Sequence, residues 1–330
     1  MPVELLHLTS TFLGCRVEVP VEGSSFNDDP SLPLEYHERA DSLRALSQTC
    51  HALRLTFLPI LWECWNACVE VRAPTSPTFW KALGDQLKRS SVRLAREPEL
   101  LSYIRTVNVI LTRYSSAEVI PLFARCLARM PNMHTLQIVY AHIAMTTALK
   151  KGFANTSLPT VRKIILPPWA HEVLRCCPEV THVICNGDDY RGEKLVSAIA
   201  KCCKKVEIVE GFQLREPNVM KQLIKAAPNL IEIKFNQVPS QATIEGLSGF
   251  KKLSVIGLTH RTSQKALDSG SYSTALPQEL QQSIEAAKVI LRRKPATTKY
   301  LRIHHTTLPS YPRRRWRPVR LALIEEILLI

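Results

Sequence analysis

The second half of the chain repeats a short pattern of apolar and polar positions, apolar-x-x-apolar-x-apolar. Seven copies begin at successive intervals of 29, 28, 19, 23, 27 and 20 residues. Apolar positions that alternate with polar ones are typical of a strand with one buried face, so each copy predicts one short strand. The copies are Ile104, Val107 and Val109; Met133, Leu136 and Ile138; Val161, Ile164 and Leu166; Val180, Val183 and Cys185; Cys203, Val206 and Ile208; Leu230, Ile233 and Phe235; and Phe250, Leu253 and Val255.

A proline often stands two residues before the first apolar position, and three of these prolines close helix-like runs: LFARCLARMPNM, HEVLRCCPEV and VMKQLIKAAPNL. Because the residue before a proline disfavours helical geometry, each helix ends there and a strand can follow. This spacing is typical of leucine-rich repeats, whose period is about 20 to 29 residues. An ordinary α/β sheet is the alternative, although its crossover units usually exceed about 30 residues. We therefore predict an α/β fold in which residues 100–260 form an irregular leucine-rich-repeat solenoid of parallel strands and helices.

The N-terminal part of the chain has a helical pattern instead. Leucines and an early proline predict a short helix over residues 1–13, and residues 14–40 predict a loop insertion rich in Gly, Ser, Asn, Asp and Pro. Residues 40–56 predict a helix with one apolar stripe, and Pro59 predicts a break after which Ile60–Trp62 begin a second helix. The simplest interpretation is a helical pair that buries its own core. The stripe consists of Leu43, Leu46, Cys50 and Leu53.

The remaining segments predict connections and an end cap. Residues 71–99 predict a helical linker, and residues 261–330 an irregular segment with one more repeat-like strand at Tyr300–His304. A basic run, YPRRRWRPVR, follows this strand, and the final LALIEEILLI predicts a capping helix over the open end of the stack.

The composition narrows the class of protein. The chain has 330 residues, 45% of them hydrophobic, and a formal net charge of +14. The basic residues are mostly scattered, so nucleic-acid binding is a weaker hypothesis than protein binding. The sequence MPVELLHL lacks the features of a signal peptide, and no run reaches the length of a membrane span, which together predict an intracellular protein with reduced thiols. The ten cysteines are then interpreted as small buried hydrophobes.

The chain offers little catalytic chemistry. It has no phosphate-binding loop and no nucleophile motif, and the His171–Glu172 pair has Arg175 where a metalloprotease needs a second histidine. Cys64 and Cys68 are interpreted as one turn of a buried helix. They are not interpreted as zinc ligands, because no second ligand pair with zinc spacing follows them. His304 and His305 are adjacent on a predicted strand, so their rings point to opposite faces. We predict a non-enzyme with no catalytic, cofactor-binding or metal-binding residues.

The stretch LRALSQTCHALRLTFLPILW resembles the second part of an F-box, in the form found in many mushroom-type fungal proteins, and PVELL resembles its opening element. The resemblance covers residues 1–16 and 40–70, so the F-box-like domain is placed at 1–70. It departs from the compact pattern in its long loop and in Thr9, where a larger aliphatic residue is usual. F-box proteins of this type often continue into leucine-rich repeats, in agreement with the repeats found here from periodicity alone.

The resemblance implies an adaptor of an SCF-type (cullin-RING) ubiquitin ligase. The F-box would bind a Skp-type linker and through it the cullin, and the repeats would bind an unknown protein substrate, in the cytoplasm or nucleus. The alternatives are a repeat-based interaction scaffold without a ligase role, and a basic nucleic-acid-binding scaffold. The residues that match the linker-binding surface are Pro2, Leu5, Leu6, Leu43, Leu46, Cys50, Leu53, Pro59, Leu61 and Trp62.

Overall fold

The computed structural model describes residues 34–68, 77–187, 192–214, 216–263, 276–296, 298–308 and 321–329. The described residues form two compact units, one ending at Thr156 and the other beginning at Ser157. Both units combine helices with mostly parallel strands, so the predicted α/β class is confirmed.

The first unit opens with two consecutive helices and continues as a parallel sheet. The helices are α1 (Leu34–Thr49) and α2 (His51–Trp62). Strand β2 pairs in parallel with β1 on one side and β3 on the other. The remaining elements of this unit are β1 (Cys64–Cys68), α3 (Pro77–Leu94), α4 (Pro98–Tyr103), β2 (Thr106–Leu111), α5 (Ser116–Ala128), β3 (Thr135–Ala141), a 3₁₀ turn (Ile143–Met145) and α6 (Thr146–Gly152).

The second unit is a longer sheet in which strands β4 to β9 are parallel neighbours in chain order and β10 is antiparallel to β9. Helices occupy the connections between the strands. The elements are β4 (Lys163–Leu166), a 3₁₀ helix (Pro168–Cys176), β5 (His182–Cys185), α7 (Gly192–Cys202), β6 (Ile208–Glu210), α8 (Pro217–Ala226), β7 (Glu232–Phe235), α9 (Gln241–Gly246), a 3₁₀ turn (Leu247–Gly249), β8 (Val255–Ser263), α10 (Gln278–Arg292), β9 (Lys299–Leu308) and β10 (Leu321–Leu329).

The repeated apolar pattern supplies the core of both sheets. Of its 21 positions, all except Ile208 are buried. Every copy coincides with a strand, so the prediction of one strand per copy is confirmed. In each parallel sheet, a strand that buries one face against helices needs apolar residues at alternate positions, which is the periodicity seen in the sequence.

The spacing of two copies was predicted incorrectly. Val209, not Ile208, aligns with Val183 and Ile233 on the neighbouring strands, and Ile256 continues the same row. The structural copies therefore begin at Val206 and Leu253, three residues later than the sequence suggested. The repeat intervals become 29, 28, 19, 26, 24 and 23 residues. Apolar residues buried in the preceding turns had extended the pattern backwards.

Six of the strands begin with the same hydrogen-bonding arrangement. One backbone carbonyl before a strand accepts two consecutive amide N–H groups from the start of the next strand, at distances of 2.7–3.1 Å. This arrangement occurs six times, and the donating amides belong to the two residues immediately before the second apolar position of a structural copy. The accepting carbonyls belong to Glu63, Arg105, Arg162, Thr181, Glu207 and Ile231.

The N-terminal helices differ from the prediction. Instead of one helix over 40–56, the chain forms α1 and α2, which are separated at Cys50 by extended backbone (φ −156°, ψ 168°). The Thr49 hydroxyl donates to the Ala45 carbonyl at 3.0 Å, a contact that competes with continuation of α1. Pro59 does not break α2 as predicted. Pro59 removes only one helical hydrogen bond, the one that its N–H would have donated to the Leu55 carbonyl. Because Leu55 faces solvent, water can hydrogen-bond to this turn instead.

Two further predictions of helix were wrong. Cys64 and Cys68 lie on strand β1, which is paired with β2, and not on a helical turn. The C-terminal LALIEEILLI, predicted as a capping helix, is β10 over Leu321–Leu329. Short apolar runs are compatible with either structure, and here β9 provides the neighbouring strand that makes pairing favourable.

The segment predicted as a linker contains α3, which packs against β1 and α5 as part of the first unit.

Candidate functional site

The predicted linker-binding residues fall into four groups. Pro2, Leu5 and Leu6 lie outside the described residues. Leu43 is completely buried, whereas Cys50 is exposed at the break between α1 and α2. The stripe was therefore wrong as a single buried face, because the break places its members on two helices. The half-buried members of the set are Leu46, Leu53, Pro59, Leu61 and Trp62.

Helix α2 is apolar along most of its length but is only partly covered. Its sequence is HALRLTFLPILW, and Phe57 is its only fully buried residue. Leu55 is 65% exposed, the highest value among the large hydrophobic side chains that the structure describes. Neither residue belongs to the single stripe from which the linker-binding residues were predicted. The signal was available in LTFLPILW, whose apolar residues occupy every side of a helix.

The strand face opposite the helices carries a row of charged side chains in the second unit. His182 Nε2 lies 2.8 Å from Glu210 Oε1, and Lys234 Nζ lies 3.8 Å from Glu210 Oε2. Arg302 contacts Glu232 at 3.0 Å and, through its Nε, Glu326 of β10 at 2.8 Å. These partly buried pairs join side chains of β5, β6, β7, β9 and β10, and they leave the described face mixed in charge.

The environments of two groups on this face change their ionisation. Burial would raise the pKa of Glu210, but the hydrogen bond from His182 and the nearby Lys234 charge bring the pKa below its usual value. Burial and the charge of Lys234 lower the pKa of His304 to about 4. His304 is 7% exposed, and neither of its ring nitrogens has a hydrogen-bond partner among the described residues. Its ring is therefore neutral near pH 7.

A cavity of about 560 Å³ lies at the carboxyl ends of the strands in the second unit. Gly211 forms part of its lining with φ +73°, and an added Cβ there would collide with the Cys185 carbonyl oxygen. The Thr243 hydroxyl donates to the Leu214 carbonyl at 3.4 Å, and the Ser283 hydroxyl donates to the Pro239 carbonyl at 3.0 Å. These bonds hold the surrounding loops and α10 together. The carboxyl ends of parallel strands are a common place for binding sites, and this volume lies within the usual range of ligand pockets.

Most of the described cysteines are buried, as predicted, but Cys50 is exposed and Cys64 and Cys202 are half-buried. Burial raises the pKa of Cys176 to about 11 and that of Cys126 and Cys203 to about 12. Burial also raises the pKa of Cys177 well above its ordinary value. A thiol must lose its proton to act as a nucleophile or metal ligand, so these four are poorly suited to either role.

The His171–Glu172 pair serves as a structural contact. Both residues are buried in the 3₁₀ helix Pro168–Cys176, with His171 Nε2 3.2 Å from Glu172 Oε1. Glu172 is held by Arg175 at 2.7 Å, the residue that replaces the second histidine of the metalloprotease motif. The pair is thus engaged with its own helix.

The described residues offer few features of other kinds of site. Within the described ranges, no three or more His, Cys, Asp or Glu side chains come together as a metal-binding group. None of the described helices combines the length and the apolar character that crossing a bilayer requires. A scan against protein-family models and a search of the curated proteins both find no match to this chain.

Proposed function

We propose that the protein is a non-catalytic substrate-recognition adaptor of an SCF-type ubiquitin ligase, in which the α1–α2 region binds a Skp-type linker. The observation that carries this proposal is the incomplete burial of α2, an apolar helix with Leu55 65% exposed. A helix of this composition normally buries its apolar residues, and on α2 Leu55 is exposed while Leu53 and Leu61 are only half-buried, which supports an interaction surface here. This surface coincides with the stretch that resembles an F-box.

The repeated units support the second half of the proposal, an irregular leucine-rich-repeat solenoid. Each structural copy contributes one strand and one connection, at intervals of 19 to 29 residues. The same shared-carbonyl arrangement at the strand starts recurs from copy to copy. A single unit of this size cannot bury its own apolar face, so the stacking of copies accounts for the core.

The substrate would bind to the second unit. Its strand face offers the charged row from His182 to Glu326, and the cavity beside Gly211 offers a concave site at the strand ends. Because the charges on the described face are paired with each other, we expect specificity to come from shape and individual hydrogen bonds more than from net charge.

The proposal is tested by co-expressing the intact chain with a Skp-type linker and measuring the linker that co-purifies. The informative variant is Leu55→Glu, which places a charge on the exposed part of α2 without removing a core side chain. If Leu55 is buried by the linker, its loss removes about 1.5–3 kcal/mol of binding free energy, a decrease in affinity of about 10- to 150-fold.

Val289→Glu is the matched control. Val289 is also an exposed apolar residue on a helix, 43% exposed on α10, but it lies in the second unit. We expect this variant to bind the linker as the unaltered chain does. A stable monomer that never retains the linker would support the scaffold alternative, and retention of nucleic acid that falls steeply with salt would support the third hypothesis. Equal linker binding by both variants would refute the role of α2.

A further inference from the structure

The segments that lead from the helices into strands β6 to β9 are strongly basic. Because these strands are parallel neighbours, their starts lie along one edge of the sheet. The segments are residues 201–207, 225–231, 250–254 and 292–296, and together they contain nine basic residues and one acidic residue, Glu207. The fold thus gathers charges that are scattered in the sequence. This basic edge consists of Lys201, Lys204, Lys205, Lys225, Lys251, Lys252, Arg292, Arg293 and Lys294.

Side-chain hydrogen bonds show that consecutive segments of the basic edge touch. The Asn229 amide donates to the Lys204 carbonyl at 3.5 Å, and the Lys252 ammonium donates to the Asn229 side-chain oxygen at 2.8 Å. Lys294 continues the row by donating to the Ser248 carbonyl, in the turn before β8, at 2.7 Å. With neighbouring strands about 4.8 Å apart, the four segments lie within about 15 Å. The spacing of adjacent segments is below the Debye length of about 8 Å, so their charges reinforce one another.

Most of these charges are not compensated within the described part of the chain. Lys205 pairs with Glu179 at 2.6 Å. Interaction with a helix dipole accounts for a cation in the last turn of a helix, but most of the basic edge lies beyond the ends of α7, α8 and α10. Five of its cations are exposed and form no ion pair with another described residue: Lys201, Lys225, Lys251, Arg292 and Arg293.

We propose that the basic edge binds an acidic segment of a partner polypeptide in an extended conformation. An extended chain advances about 3.3 Å per residue, so four or five residues span the row. Aspartate and glutamate side chains of such a segment would pair with the exposed ammonium and guanidinium groups, which compensates the excess charge. The basic edge shares no residue with α2, and the proposal does not depend on the ligase role.

Two features favour carboxylates over nucleic-acid phosphates as the bound anions. Seven of the nine basic residues are lysines, whereas arginine is the residue whose planar fork matches phosphate oxygens. Phe250 is the only aromatic residue in the four segments, and it is 2% exposed. These segments therefore offer no ring on which a base could stack, as single-stranded nucleic acid requires.

The test is fluorescence anisotropy of the intact chain with a dye-labelled octaglutamate peptide. Lys225→Gln/Lys251→Gln removes two exposed charges of the basic edge, and we expect its dissociation constant to rise about 2- to 30-fold, since each exposed ion pair contributes modestly. Lys81→Gln/Lys194→Gln is the matched control. It also removes two exposed lysine charges, but Lys81 lies on α3 and Lys194 in the first turn of α7, away from the basic edge. It should bind the peptide as the unaltered chain does.

Raising the salt concentration from about 50 to about 200 mM should weaken peptide binding, because exposed charges are screened. Equal weakening by the two double variants, or no peptide binding at the lower salt concentration, would overturn the proposal. A labelled oligothymidine with the same number of negative charges is the competing probe. Tighter binding of this probe than of the peptide, weakened by the basic-edge variant alone, would assign the surface to nucleic acid and also overturn the proposal. The result is independent of linker retention, because both double variants leave α2 unaltered.

Discussion

Phe57 and Leu55 lie two residues apart on α2, yet they have opposite environments. Phe57 is 0% exposed and Leu55 is 65% exposed. Phe57→Ala removes a buried ring and leaves a cavity, so we expect the free energy of unfolding to fall by about 3–5 kcal/mol. Leu55→Ala removes contacts with solvent, and its effect should stay within about 0.5 kcal/mol. The two variants should therefore differ by at least about 2.5 kcal/mol.

Urea unfolding of the intact chain measures this difference. Trp62 at the end of α2 and Trp65 on β1 report on the first unit through their fluorescence. With a denaturant slope of about 1–3 kcal/mol per molar, a difference of 2.5 kcal/mol separates the two midpoints by about 1 M or more. The slope itself should be unchanged, since both variants unfold from the same native state.

Equal destabilisation by the two substitutions would refute the reasoning. It would mean that Leu55 is covered in the folded chain and that α2 has no exposed apolar surface. The linker-binding argument would then lose its main support, even if the pull-down of Leu55→Glu were negative, because misfolding would explain that result.

Three further outcomes are expected. Gly211→Ala should lower the free energy of unfolding, measured in urea, by more than about 1–2 kcal/mol. The left-handed backbone at this position alone costs an alanine that much, and the new Cβ also meets the Cys185 carbonyl oxygen. An unchanged urea midpoint would contradict this prediction. In the native protein at about pH 8, iodoacetamide should modify the exposed Cys50 but not the buried Cys203, because burial raises the pKa of Cys203 to about 12. Peptide mass spectrometry measures the labelling, and equal labelling of the two thiols before denaturation would refute this prediction. The pKa of Glu210 is lowered below 4.5, so its ionised form stabilises the fold above that pH and the contribution disappears as the pH falls through the folded-state pKa. Glu210→Gln should therefore reduce the loss of thermal stability below about pH 4.5, and an identical acid profile would count against the pairing.

The parallel strands were predictable because their cause is local. Each strand needs an apolar, inward-facing residue at every second position, and this alternation can be read from its own sequence. Val183 and Ile233 lie where the pattern predicted them. The same locality explains the two errors of spacing. Cys203 and Phe250 are buried in turns, where apolarity says nothing about strand register.

The helical and terminal segments were less predictable because tertiary contacts decide them. LALIEEILLI could form a helix or a strand, and β9 selects the strand. The break at Cys50 depends on backbone geometry that no periodicity records. At the sites, the neighbours of Glu210 and of His305 come from other strands, at separations of 20 to 45 residues. His305 was predicted to lie on a strand and Glu210 was not singled out, and the pattern did not reveal the partners of either residue.

The shared carbonyl found at six strand starts has an implication for how the sequence can vary in length. It gives these strands a common starting line, while the distance from one such carbonyl to the next ranges from 19 residues between Arg162 and Thr181 to 57 between Arg105 and Arg162. Insertions and deletions are therefore absorbed after the strand, in the connections, and do not shift its alignment. A chain built in this way can acquire new loops at the carboxyl ends of its strands, beside the cavity, while its core rows stay in place.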